Sequence, residues 1–168
     1  TRHPGSLPFT NDDLEYLTRF ANQLSIGRQE AKEYIDKYFV RFPGIRDYME
    51  ASKGYARQYS YVKTLFGRKI HIPQIHSRNV AERSFNERVS INAPIQGSAA
   101  DIIRRAMARM PEALEAAGLG TRMLLQVHDE LVFEAPEAEV AAALPVIKRV
   151  MVDAPEPAVK LAVPLQVD

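Results

Sequence analysis

The run MLLQVHDELVF, Met123 to Phe133, decides the reading of the fold. Two short apolar stretches, Met123–Val127 and Leu131–Phe133, flank the polar trio His128-Asp129-Glu130, the pattern of a hairpin with polar residues at its tip. Ahead of it, residues 79–118 read as helix. Ala99, Ile102, Ile103, Ala106, Met107, Met110 and Leu114 recur there at three-and-four spacing as one apolar stripe. Pro94 and Pro111 are expected to kink or divide that helix, and Gly118 and Gly120 to end it. Behind the hairpin, Pro136 is placed to start a last helix through Met151, and Leu161–Val167 reads as a closing strand. The expected fold class is α+β, with both helices covering one face of a small antiparallel sheet built from Met123–Phe133 and Leu161–Val167.

Further from the hairpin, Thr1–Thr10 carries two prolines and a glycine and no periodicity, so it reads as an irregular leader. Asn11 is a candidate helix cap, with Asp12, Asp13 and Glu15 in the first turn complementing the helix dipole. Ile35, Tyr38, Phe39 and Phe42 mark a helix over Arg28–Arg41 that stops near Pro43-Gly44, and a second helix follows to about Ser60. Val62, Leu65 and Phe66, then Gly67, Ile70 and Ile72, give a short hairpin between Tyr61 and Pro73.

Composition narrows the chemistry. The 168 residues are 46% hydrophobic and 26% charged, enough to bury a core. The absence of cysteine excludes disulfides, thiolate–zinc sites and thiol nucleophiles, leaving oxygen and imidazole ligands suited to a hard cation such as magnesium. No apolar run approaches a bilayer span and no signal-peptide pattern opens the chain, so a cytoplasmic location without membrane partners is the expectation. The net charge of +1 conceals a division along the sequence. Residues 57–109 hold ten basic and three acidic side chains, a local +7, and residues 110–168 hold four basic and ten acidic, a local −6. A basic block interleaved with Tyr59, Tyr61, Phe66 and Phe85 suits a polyanion, although on charge alone a solvated helix face is the more favoured account.

Asp129 and Glu130 offer hard oxygens for metal-assisted phosphoryl transfer, with His128 beside them. Successive side chains of an extended chain point to opposite faces, so the two acids do not readily share one ion and a second carboxylate must come from elsewhere. An exposed turn is also polar for no reason but solvation. In NERVSINAPIQGSAAD, Asn86–Asp101, the residues Arg88, Asn92 and Gln96 recur every four positions on one side of a helix. Such a row offers donors to the acceptors that every base pair shows in the minor groove. Gly97 and Ser98 are expected to leave the surface low beside it. A polar helix face explains the same pattern.

VHDELVFEAP, Val127–Pro136, resembles the third palm motif of family A DNA polymerases, the bacterial DNA polymerase I type, and INAPIQGSAADII, Ile91–Ile103, resembles the helix that precedes it there. YVKTLFGRKIHIPQIHSRN, Tyr61–Asn79, and ANQLSIGRQEAKEYIDKYF, Ala21–Phe39, are similar to the family's segments between fingers and palm. The resemblance runs from about Ala21 to Asp168, in order, with Ser90 and His76 departing from the usual alanine and asparagine. It implies a partial polymerase domain with a palm-type sheet: residues 1–20 a leader of unknown origin, 21–78 a fingers-to-palm segment, 79–168 the palm portion. It implies template-directed addition of deoxynucleotides to a primer end, with Mg2+ as cofactor and primer-template DNA and deoxynucleoside triphosphates as partners. By position, Asp129 is a metal ligand and Glu130 an auxiliary acid, His128 and Gln126 lie near the primer end, Arg88, Asn92 and Gln96 track the minor groove, and Arg68 meets phosphate. The family's nucleotide-gripping fingers helix and its other palm aspartate have no counterpart in these residues, so the chain by itself is expected to be inactive. Two further readings remain: a non-catalytic DNA-binding fragment, and a metal-dependent hydrolase built on His128, Asp129 and Glu130.

Overall fold

The computed structural model describes residues 21–167. The cap expected at Asn11 and its acidic first turn, Asp12, Asp13 and Glu15, lie outside the described residues. Among the described residues two compact units emerge, one of residues 21–62 with 71–92, the other of residues 63–70 with 93–167.

In the first unit, α1 (Arg28–Arg41) buries Ala31 against Ala21, with Ile26 and Ile35 packed beside them. Pro43 ends it. The ring disfavours helical backbone at the preceding residue, and Phe42 accordingly sits at φ −127°, ψ 66° before proline opens α2 (Pro43–Tyr59). Ser60 closes α2 in the left-handed region at φ 58°, its N–H donating to Ala56 O and its carbonyl accepting from Ile72 N at 2.8 Å. Val62, Ile72 and Ile75 are buried in this unit.

Strands β1 (Tyr61–Lys63) and β2 (Lys69–His71) form the expected short hairpin. Its loop turns through Gly67 at φ 82°, a conformation that glycine adopts without a Cβ clash. The long helix α3 (Val80–Ala116) opens on Asn79, whose Oδ1 accepts from Ala81 N at 3.0 Å. It closes in a Schellman turn, with Gly118 at φ 69° and Leu119 N donating to Leu114 O.

Pro94 and Pro111 lie inside α3 without dividing it, so that part of the sequence expectation is corrected. Side chains bind carbonyls around the first proline: Tyr48 Oη donates to Ile91 O at 2.8 Å and Ser98 Oγ to Pro94 O at 2.5 Å. The bond that Pro94 itself removes is the one Ser90 O would accept, so these bonds brace the turn around the proline and do not replace it.

In the second unit, β3 (Arg122–Val127) and β4 (Glu130–Glu134) pair antiparallel, with Gln126 opposite Leu131 and Val127 opposite Glu130. The register shifts between Met123 and Leu125, which bulges Leu124 out of the ladder. Glu139 anchors the start of β3 by accepting from Thr121 N at 3.1 Å and Thr121 Oγ1 at 3.2 Å. Ala106, Met110, Leu114, Ala143 and Ala154 are buried in this unit.

Two details behind the hairpin differ from expectation. Pro136 precedes a 3-10 turn, Glu137–Glu139, and the helix proper, α4, runs Val140–Val152 with Pro145 inside it. Leu161–Val167 forms no strand and pairs with neither β3 nor β4. Apolar residues qualify a segment for a sheet only if its main chain finds a ladder partner, and Pro164 also removes a donor from the middle of this run. The α+β class stands, with the sheets reduced to two hairpins.

Candidate functional site

His128 and Asp129 form the two-residue turn between β3 and β4, and Glu130 is the first residue of β4. His128 adopts φ 53°. That left-handed conformation costs a non-glycine residue on the order of 1 kcal/mol and is the kind of strain concentrated at functional turns. Gln126 secures it, its Nε2 donating to the His128 carbonyl at 2.6 Å. Asp129 and Glu130 are both exposed, and no group of three or more His, Asp or Glu side chains able to hold a metal occurs among the described residues. Their hard-oxygen chemistry fits a divalent cation and their number does not complete a cage, so Asp129 would hold such an ion only with oxygens from other groups.

Arg88, Asn92 and Gln96 are exposed on α3, four residues apart. Gly97 and Ser98 behave differently from expectation. The surface beside Gln96 is filled by the loop of the first hairpin. A Cβ on Gly97 would sit 2.8 Å from Ile70 Cδ1 and from Thr64 Cγ2, and Ser98 is buried with its Oγ accepting from Leu65 N at 2.9 Å. Arg68 is engaged in the same contact: its Nε donates to Asp101 Oδ1 at 2.8 Å and its Nη2 to Gly97 O at 3.0 Å. It clamps the loop to the helix while its side chain stays 43% exposed.

The sequence reading passed over a second group of cations. Arg105 donates to Ala154 O at 2.8 Å and Glu156 O at 3.4 Å, Arg109 to Asp153 O at 3.2 Å and Glu156 O at 2.7 Å. The Arg104-Arg105 pair was visible in the sequence, but it lies among the stripe residues and reads there as helix surface.

The fold as a whole, a long helix with two small hairpins, is that of a nucleic-acid polymerase domain fragment. The chain matches, with TM-score 0.80 and 44% identity, a structure described as the POL domain of Pol1 from M. smegmatis in complex with DNA primer-template and dNTP, covering 87% of this chain and 25% of that one. Residues 17–168 match the profile of DNA polymerase family A, and the chain belongs to that family. The match starts four residues earlier than the motifs indicated. DNA polymerase I of Rhizobium leguminosarum is 60% identical over 150 residues, 88% of this chain and 15% of that protein. DNA polymerase I of Streptococcus pneumoniae is 51% identical over 148 residues, 88% of this chain and 16% of that protein. The chain thus spans about 15% of the length of such relatives. Among the described residues no helix is long and apolar enough to cross a membrane.

Proposed function

We propose that the chain is part of a DNA-directed DNA polymerase, and that Asp129 is a metal ligand of its nucleotidyl-transfer site. The carrying observation is the strained turn that presents Asp129 between two paired strands, in a chain 44% identical to a polymerase domain bound to primer-template and dNTP. In this activity the primer 3′ oxygen forms a bond to the α-phosphorus of a deoxynucleoside triphosphate as the bond to the β-phosphate bridge breaks, releasing pyrophosphate. Magnesium would supply stabilisation of the charge on the attacking and leaving oxygens. The protein's own part is to aim Asp129 by the His128 turn, to hold that turn through Gln126, and to keep Glu130 as an auxiliary acid on the next residue. Arg88, Asn92 and Gln96 would grip the minor groove of the primer-template duplex largely without regard to sequence. Residues 21–78 then act as a fingers-to-palm segment and 79–168 as palm, in a cytoplasmic enzyme.

By itself the 168-residue chain should bind duplex DNA and not extend a primer, since the described residues offer one carboxylate motif and no cage. Primer extension tests this in two forms. In a polymerase-length protein carrying this chain, Asp129→Asn should lower the rate on the order of a thousandfold, equivalent to about 4 kcal/mol, with duplex affinity unchanged. Gln96→Ala should instead weaken duplex binding by about 1 kcal/mol. Steady, Asp129-dependent extension by the 168-residue chain would show that the site is more complete than argued, and full activity of Asp129→Asn would remove the residue from the site.

A further inference from the structure

Phe66, Arg68, Asp101, Arg104, Arg105 and Ala108 line an open cavity of about 330 Å3 within the second unit. At about 100° per residue, Asp101, Arg105 and Ala108 lie roughly 120° to 180° around α3 from Gln96, and Arg104 about 80° from it, at the near edge. Most of the cavity lining therefore lies on a different side of the helix from Gln96, with Arg104 at the margin between the two.

Its charge is unbalanced. Asp101 is ion-paired through Oδ1 with Arg68 at 2.8 Å, while its buried Oδ2 makes no hydrogen bond among the described residues. Arg105 is fixed in place, with Ala154 O and Glu156 O accepting from it and its guanidinium 5.1 Å from the centre of the Phe66 ring. Those partners are main-chain carbonyls and an aromatic face, which orient the guanidinium without neutralising it, and no carboxylate pairs with it among the described residues. Arg104 is exposed and makes no hydrogen bond or ion pair among the described residues. Three guanidiniums and one carboxylate leave the cavity with a surplus of two positive charges, and two of the guanidiniums are already held before any ligand arrives. Preorganised guanidinium forks match the oxygens of phosphate in geometry and charge.

We propose that this cavity is a second anion site, which takes a phosphate group between Arg104 and Arg105 with Arg68 at its edge and the Phe66 ring as its apolar wall. The group belongs either to a free phosphate or nucleotide, as a monoester, or to a nucleic-acid backbone, as a diester. The phosphate contact that the family resemblance implies for Arg68 would then fall at the edge of this site.

The test follows the Phe66 ring resonances of the full chain by NMR while inorganic phosphate, a deoxynucleoside 5′-monophosphate and a dinucleoside phosphodiester are added in turn, each against chloride at matched ionic strength. Saturable shifts with phosphate and not with chloride are expected, and Arg104→Gln, an exposed change that removes no internal bond, should weaken them about tenfold, the loss of one charge-assisted hydrogen bond. Arg105→Lys should weaken them as well, because lysine keeps the charge and loses the fork. Preference for phosphate and the monoester identifies a free ligand, and equal binding of the diester identifies a nucleic-acid strand. Shifts matched by chloride, or an affinity unchanged in Arg104→Gln, would overturn the proposal. Asp129 takes no part in these measurements, so their outcome is separate from that of primer extension.

Discussion

The molecule contains two antiparallel hairpins of similar size that are stabilised in opposite ways. The first, β1–β2, buries Val62 to 2% exposure and seats its loop on α3, where Gly97 makes room, Ser98 satisfies the Leu65 N–H and Arg68 closes the contact. The second, β3–β4, leaves Leu125, Val127 and Val132 between 39% and 50% exposed on one face and carries a histidine in left-handed backbone at its tip. The first hairpin is held by contacts to a helix some thirty residues away, although Leu65 in its loop stays 59% exposed. The other keeps apolar surface on one face and strain at its tip, beside Asp129. The difference teaches that similar local patterns, apolar runs around a turn, end seated on a helix in one place and exposed with a strained tip in another, with loop contacts distinguishing the two.

The comparison is most easily broken at Gly97. A methyl group there meets Thr64 and Ile70 at 2.8 Å, so Gly97→Ala should destabilise the second unit by about 1–3 kcal/mol from overpacking, reduced by up to about 1 kcal/mol of gained helix propensity. Gly54, in α2 with nothing within 4 Å of its Cβ position, supplies the control: Gly54→Ala should stabilise by up to about 1 kcal/mol. Denaturant unfolding of both variants decides whether the loop seat is as tight as drawn. At the other hairpin the sign reverses. His128→Gly removes a left-handed side chain and should raise stability by about 1 kcal/mol while impairing primer extension in a polymerase-length protein, a stability gain that a purely structural turn would not link to lost activity. Leu125→Thr, on the exposed face, should move stability by no more than about 0.5 kcal/mol. A larger loss would mean that this face is covered in solution.

The smallest effect concerns Tyr55, which contacts β1. A hydrogen bond with Tyr61 and partial desolvation push its phenol up to about 12, favouring the neutral form in the folded protein. A group whose pKa is raised on folding contributes its stabilisation fully below the unfolded value near 10, and loses it as pH climbs from there through about 12. Ultraviolet titration should show one tyrosine ionising late, and Tyr61→Phe should bring it back toward 10.

The sequence alone determined the helix boundaries Arg28–Arg41 and the start of the long helix near Asn79, the position of both hairpins, the Asp129 tip and the polymerase family. These rest on periodicity, turn chemistry and motif order, all carried by residues near one another in the chain. Tertiary structure decided the rest. Pro94 and Pro111 stay within one helix, Gly97 and Ser98 seat a loop instead of lying open, Leu161–Val167 finds no ladder, and Arg104 and Arg105 meet Phe66 and Arg68 around a cavity. Each of those outcomes depends on a partner some thirty or more residues away, or on the absence of a pairing strand. A local pattern states what a segment prefers, and only the assembled chain supplies the atoms that its hydrogen bonds and side chains meet.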